Sequence, residues 1–224
     1  MIISKFLLII KILTNVLFKR NLKCFFYEIF DLINIDFKYG SSTFVRKNNY
    51  KINYVPYYSL PFKKNLMKLQ THLNFKNTCF IDVGSGKGRI LLAALDFNFK
   101  KIIGIEKNKF LYKESKKVFK NNNLNKRITV INEDLMKADL NFLKNLNLVV
   151  FWYGPQNKKI LKNFLLKLKK KIIKKKIIFF LIPSTDFPKD LNFLNILHKN
   201  NDFKEYSYKD TNLKTRNSVI FELT

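Results

Sequence analysis

Phe80-Ile81-Asp82-Val83-Gly84-Ser85-Gly86-Lys87-Gly88-Arg89-Ile90-Leu91-Leu92-Ala93-Ala94 is the stretch that decides the fold. An apolar run ending near an acid passes, through three of the chain's six glycines, into residues with helical apolar periodicity. Glycine permits positive φ and lets backbone approach a ligand closely where helix N–H groups point outward. Such a loop between strand and helix holds a ligand at the carboxyl edge of a sheet. The spacing excludes two ligand classes. A P-loop needs G-x-x-x-x-G-K-[ST], but Lys87 is followed by Gly88, and the first glycine position is Ile81. A dinucleotide fingerprint needs G-x-G-x-x-G, whereas Gly84, Gly86 and Gly88 make G-x-G-x-G with Arg89 next. Asp82 is also a poor neighbour for a pyrophosphate and a good one for a cation.

Outward from this stretch, short apolar runs alternate with helical stretches. Cys79–Val83, Lys101–Ile105, Ile128–Ile131, Leu148–Tyr153 and Ile177–Ile182 read as buried strands. Tyr206–Tyr208 and Ser218–Leu223 close the chain with too short a link for a crossover helix, so they predict an antiparallel hairpin. The expected fold is a doubly wound, mostly parallel seven-stranded α/β sheet with a C-terminal antiparallel hairpin and an N-terminal helical extension. The extension is placed at residues 1–53 and the domain at 54–224. A helix is expected from about Pro61 to Leu73, and Glu28 to Tyr58 reads as irregular, with a turn at Gly40-Ser41-Ser42.

Two more acids fall on the same sheet edge. Glu106 ends the second strand, where a carboxylate can accept both hydroxyls of a ribose. Asn132-Glu133-Asp134-Leu135 follows the third strand, and Asp134 there can accept an exocyclic amine of adenine. Three strand-end acids around a glycine loop describe a site for a ligand with an amine, a ribose and an adenine but no phosphate. S-adenosylmethionine has that composition, and from about Tyr54 to its end the chain resembles the class I, seven-strand methyltransferases. The resemblance implies a Rossmann-like fold and cofactor contacts from Asp82, Gly84, Ser85, Gly86, Gly88, Glu106, Asp134 and Leu135. Asp36-Phe37-Lys38-Tyr39-Gly40, Tyr54-Val55-Pro56 and the Arg89-Ile90-Leu91-Leu92-Ala93-Ala94 helix look like a bacterial group of undefined substrate. They are also similar to protein-lysine methyltransferases, some with an N-terminal membrane segment. In such enzymes the residues before the first strand help close the cofactor site, which makes Tyr54 and Tyr57 either lining residues or packing aromatics.

The fourth strand ends Phe151-Trp152-Tyr153-Gly154-Pro155-Gln156. Class I enzymes present their acceptor motif here, often Asn or Asp followed by Pro and an aromatic. Gly154 departs from that pattern and removes the carbonyl that would hold a target amine. Tyr153, Trp152 and Gln156 remain as candidates to surround an acceptor, and aromatic faces also attract a cationic methyl donor.

Composition bounds the partners. The 224 residues are 47% hydrophobic, enough for one sizeable core, and 43 Lys plus Arg against 16 Asp plus Glu give +27. Such a surface attracts nucleic acid, anionic lipid or acidic protein. Only five of the basic residues are Arg and 27 residues are Asn, so an AT-rich coding bias accounts for part of the charge. Lys167–Lys176 (KLKKKIIKKK) is either a solvated helix end or a nucleic-acid patch. Met1–Phe18 reads as an amphipathic helix that covers the domain's own core or lies on a membrane surface. Cys24 and Cys79 lack C-x-x-C spacing and His72 and His198 form no pair, so no metal site is expected. With no secretory cleavage pattern, the expected compartment is the cytoplasm, with the inner membrane surface as a variant. The sequence thus predicts methyl transfer from S-adenosylmethionine, with a protein lysine as first acceptor and RNA as second. The rival is a non-catalytic protein of the same fold that holds nucleic acid or lipid by its charge.

Overall fold

The computed structural model describes residues 10, 14, 22–43, 55–143, 146–154, 158–171, 176–182, 203–206 and 219–223. At its centre lies β1 (Thr78–Val83), buried along its whole length. It pairs in parallel with β2 (Lys101–Ile105) on one side and β4 (Asn147–Tyr153) on the other. Next to these run β3 (Ile128–Ile131) and β5 (Ile177–Ile182), also parallel. Strand β7 (Val219–Leu223) joins β5 antiparallel, and β6 (Phe203–Tyr206) joins β7 antiparallel, giving the order β3-β2-β1-β4-β5-β7-β6. Strand β6 starts earlier than the run Tyr206–Tyr208 suggested, and the link from β6 to β7 lies outside the described residues.

Near-continuous apolar runs make β1 and β4 fit to be covered on both faces. Alternate side chains then enter two different cores. Phe80, Val149 and Phe151 pack with α2 (Ser59–Gln70), α3 (Arg89–Ala94) and Phe119 of α4 (Lys109–Asn121). Cys79, Ile81, Val83, Val150 and Trp152 pack with Leu161, Phe164 and Leu168 of α5 (Lys158–Lys171).

The N-terminal region corrects the expectation of irregular chain from Glu28. Helix α1 (Leu22–Asp31) runs on through a π-helical stretch, Leu32–Phe37, before the chain turns at Gly40. Apolar residues lie on both sides of the helix, with Cys24, Tyr27, Leu32 and Ile35 buried beside acids, so the sequence shows no clean apolar face. The buried side carries Glu28, Asp31 and Asp36, while Leu22, Phe26, Ile33 and Phe37 point to solvent. The π stretch has a geometric consequence. Residues five apart on an α-helix are separated by about 140° around the axis, whereas i→i+5 bonding brings them closer, to roughly 50°. Asp31 and Asp36 are so related, and both reach Arg89.

Helix α2 begins at Ser59, earlier than expected, and ends at Gln70. Its N-terminus is capped from another element. Tyr58 supplies no side-chain cap, and the Asp31 carboxylate accepts the Ser59 N–H at 3.1 Å to each oxygen, together with the Ser59 hydroxyl. A carboxylate at that end also suits the positive pole of the helix.

Candidate active site

The glycine loop folds back on β2 and spends four of its N–H donors there and within itself. Gly84 and Ser85 N–H both donate to the Ile105 carbonyl, at 2.8 and 3.2 Å, and Gly88 N–H donates to the Ser85 carbonyl at 2.8 Å. Gly86 N–H donates to Glu106 Oε2 at 2.7 Å. These four N–H groups, which a phosphate site would aim at its ligand, are therefore committed elsewhere.

Two of the chain's glycines are sterically required around this loop. Gly88 has φ +85°, and a Cβ there would lie 2.5 Å from Phe119 Cζ. A Cβ on Gly104, in β2 beside Asp82, would meet Ser85 Oγ and Leu91 Cδ1, each at 2.6 Å. Gly104 is not among the site residues expected from sequence, although a glycine inside an apolar strand signals close approach of another group. Gly104→Ala should cost about 1 to 3 kcal/mol through overpacking. Urea unfolding of the variant beside the wild type measures it, and an unchanged midpoint would mean that the loop has room to shift.

Two buried carboxylates remain with acceptor capacity. Glu106 accepts from Gly86 N–H and from Asn108 N–H, 2.7 Å to each oxygen, leaving a further lone pair on each. Burial raises its pKa, and these two backbone donors partly offset the rise. Asp82 is only 3% exposed and receives no hydrogen bond from the described residues. Burial, and then the like charge of Glu106, push its pKa well above the usual carboxylate range. Ser85 Oγ is also buried without a hydrogen-bond partner among the described residues.

The third acid stands apart from these. Asp134 caps its own turn by accepting Met136 N–H at 2.9 Å, and its other oxygen lies 3.7 Å from the ammonium of Lys107, a largely exposed pair worth little energy. Leu135 beside it is buried in the second core.

A solvent-open hollow lies over Asp82, walled by Val55, Pro56, Tyr57, Ser85, Arg89, Phe151 and Tyr153. Tyr57 is central to the wall, with ring centroids 5.6 Å from Phe151 and 5.5 Å from Tyr153. Trp152 does not share it, contrary to its expected role around the acceptor. Strand alternation turns its ring to the opposite face, edge-on to Phe164 at 5.8 Å. Gly154 follows with φ +61°, so the chain turns sharply as it leaves β4. Tyr54 and Gln156, also expected at the site, lie outside the described residues.

The two cations of the loop are engaged by the N-terminal segment, although Arg89 also borders the cavity. Lys87 donates to the Ser42 carbonyl at 3.0 Å. Arg89 is 2% exposed, and its Nη1 lies 3.0 Å from Asp31 Oδ2 and 3.5 Å from Glu28 Oε2. Its Nε donates to Thr43 Oγ1 at 2.9 Å, and its Nη2 lies 3.8 Å from Asp36 Oδ2. Asp36 Oδ1 in turn accepts from Ser41 Oγ and from Thr43 N–H and Oγ1. Residues 28–43 are thus clasped to the start of α3 by one arginine and three acids.

The clasp makes stability depend on pH. Burial raises the Asp31 pKa from 3.8 to about 6, with Arg89 and the Ser59 hydrogen bonds opposing the rise and Glu28 adding to it. A raised folded pKa means that the folded state holds the proton more tightly. The stabilisation from this group is complete below 3.8 and lost as pH rises through about 6. Asp31→Asn cannot titrate, so its unfolding free energy, measured in urea from about pH 4 to about pH 7, should lack that part of the wild-type decline. Parallel curves for the two proteins would show that Asp31 does not titrate in this range.

No protein-family model and no curated protein matches the sequence. Solved structures do match the fold. An RNA methyltransferase from Salinibacter ruber in complex with S-adenosyl-L-homocysteine superposes with a TM-score of 0.50 at 17% identity, over 76% of this chain and 93% of that one. An rRNA methylase from Streptococcus thermophilus gives 0.52 at 11% identity, over 73% and 95%. The glycopeptide N-methyltransferase MtfA gives 0.52 at 10% identity, over 72% and 94%. The chain is thus an α/β protein whose parallel sheet, flanked by helices, has the fold of the class I S-adenosylmethionine-dependent methyltransferases.

Proposed function

We propose that the protein is an S-adenosylmethionine-dependent methyltransferase. One observation carries this beyond the fold: Asp82 borders the cavity as a buried acceptor, Glu106 holds the loop at the end of the next strand, and four loop N–H donors are already spent. A cationic ligand with vicinal hydroxyls fits Asp82 and Glu106, and a phosphorylated ligand meets two carboxylates with no free loop N–H among the four named. Ser85 Oγ, buried without a partner, is a further polar group for that ligand to satisfy.

When bound, S-adenosylmethionine supplies an electrophilic methyl group on a sulfonium. Asp82 would hold the cationic amino-acid end, which lowers the cost of its own ionisation. Glu106 would take the ribose hydroxyls with the lone pairs that Gly86 and Asn108 leave open. Tyr57 and Tyr153 line the same cavity as Asp82, and a ring face turned to a bound cation there would add about 0.5 to 2 kcal/mol by cation–π attraction. Asp134 and Leu135 would border the adenine. Displacement at a methyl carbon depends mainly on orientation, so the chain need contribute no obligatory acid or base.

For the acceptor, RNA has the better support. Two of the three solved structures above are named as RNA methylases, and +27 of net charge favours a polyanion. A protein lysine, the first acceptor expected from sequence, gains no support from them, and the glycopeptide enzyme places a third acceptor class on the same fold. Labelled methyl donor offered to separate RNA and protein fractions decides between them. Label in RNA, falling steeply with added salt, is the expected result. Label confined to protein would overturn the RNA assignment and leave methyl transfer standing.

A further inference from the structure

The outward face of α1 and its π-helical continuation has no counterpart in the chemistry above. Leu22, Phe26, Ile33 and Phe37 are 59, 57, 54 and 65% exposed, with Ile29 half-buried among them. Leu22 and Phe26 are one α turn apart, about 40° around the axis, and Phe37 follows Ile33 by about one π turn in the continuation. They form an apolar row along the helix and its continuation, of a kind that soluble surfaces rarely leave in water.

The helix cannot roll to hide this row. Its opposite face holds Glu28, Asp31 and Asp36 on Arg89, and a turn inward would strip three acids from their cation. The same segment carries Lys23, with its ammonium 5.9 Å from the Tyr27 ring, and the exposed Lys38, 5.1 Å from the Tyr39 ring and next in sequence to Phe37. Apolar side chains on a segment that also carries ammonium groups match the boundary between acyl chains and anionic headgroups. Every copy carries +27, so pairing of two rows is opposed by charge, whereas an anionic surface attracts it. Among the described residues no helix is long and apolar enough to cross a membrane, so contact of this kind is with the surface.

We propose that this row docks the protein on an anionic lipid bilayer, with the α1 helix lying in the plane of the interface. The site is distinct from Met1–Phe18 and independent of the methyltransferase assignment. The test is co-sedimentation of the full chain with vesicles of phosphatidylcholine plus phosphatidylserine, beside vesicles of phosphatidylcholine alone. Wild type should pellet with the anionic vesicles, and Phe26→Ser/Ile33→Ser/Phe37→Ser should bind them roughly 100-fold more weakly. The single variant Phe26→Ser, with a loss of several-fold, decides the matter should the triple variant fail to fold. Wild-type affinity in both variants would overturn the proposal. So would loss of binding on deletion of residues 1–20 with the serine variants unaffected, which would assign the contact to that segment. A wild type that ignores vesicles but sediments as a dimer dissolved by the serine variants would assign the row to a second copy and overturn it equally.

Discussion

Arg89→Met should lower the unfolding free energy by about 3 to 5 kcal/mol, the usual consequence of removing one partner from a buried ion network. Methionine fills much of the volume, so lost packing contributes little. What remains is charge. Glu28, Asp31 and Asp36 lie within 3.8 Å of the guanidinium, all buried, and without it they face one another in a poorly solvated space. The variant should relieve this by holding protons. Removal of the cation takes away the charge that opposes the rise of the Asp31 pKa, so the deficit is largest at alkaline pH and shrinks as pH falls. Urea unfolding at several pH values measures both effects. A deficit below about 1 kcal/mol at neutral pH would show that water reaches the cluster and that the clasp is a surface feature.

The second large effect concerns ligand binding. Glu106→Ala removes the clamp on Gly86 and Asn108 N–H and the acceptors for the ribose hydroxyls. With hydrogen bonds to a charged group worth about 1.5 to 3 kcal/mol each, affinity for S-adenosylhomocysteine should fall by about 100-fold or more. Glu106→Gln separates the two roles. Its oxygen still accepts one backbone N–H, but its amide group turns donors toward the other, so one side of the clamp opens. An intermediate loss, about 10-fold, is expected from it. Equilibrium titration of the three proteins measures the order wild type, Gln, Ala. Equal affinity in all three would remove Glu106 from the site.

The parts of the site that were legible in sequence are those encoded locally. Asp82, the three glycines and Glu106 each sit where a strand gives way to a loop, and strand-turn-helix periodicity places them on one edge without knowledge of the tertiary contacts. The Arg89 clasp was not legible for the opposite reason. Its partners Asp31 and Thr43 lie 58 and 46 residues away, and nothing local marks an acid on a buried helical face. Arg89 itself stood out only because it breaks a dinucleotide fingerprint. Periodicity of two separates Trp152 from Tyr153 but does not say which ring faces the cavity; that was fixed by Tyr57, delivered from ahead of α2. Asp134 was visible as an edge acid, while its pairing with Lys107 depended on how the β2 and β3 loops meet.

The most direct test of the central claim is calorimetric titration of the ligand-stripped protein with S-adenosylhomocysteine, beside Asp82→Asn. Saturable binding at about one ligand per chain, weakened in Asp82→Asn, is the predicted result. No binding by a folded wild type, or equal binding by the variant, would contradict a cofactor site built on the buried acids at the ends of β1 and β2.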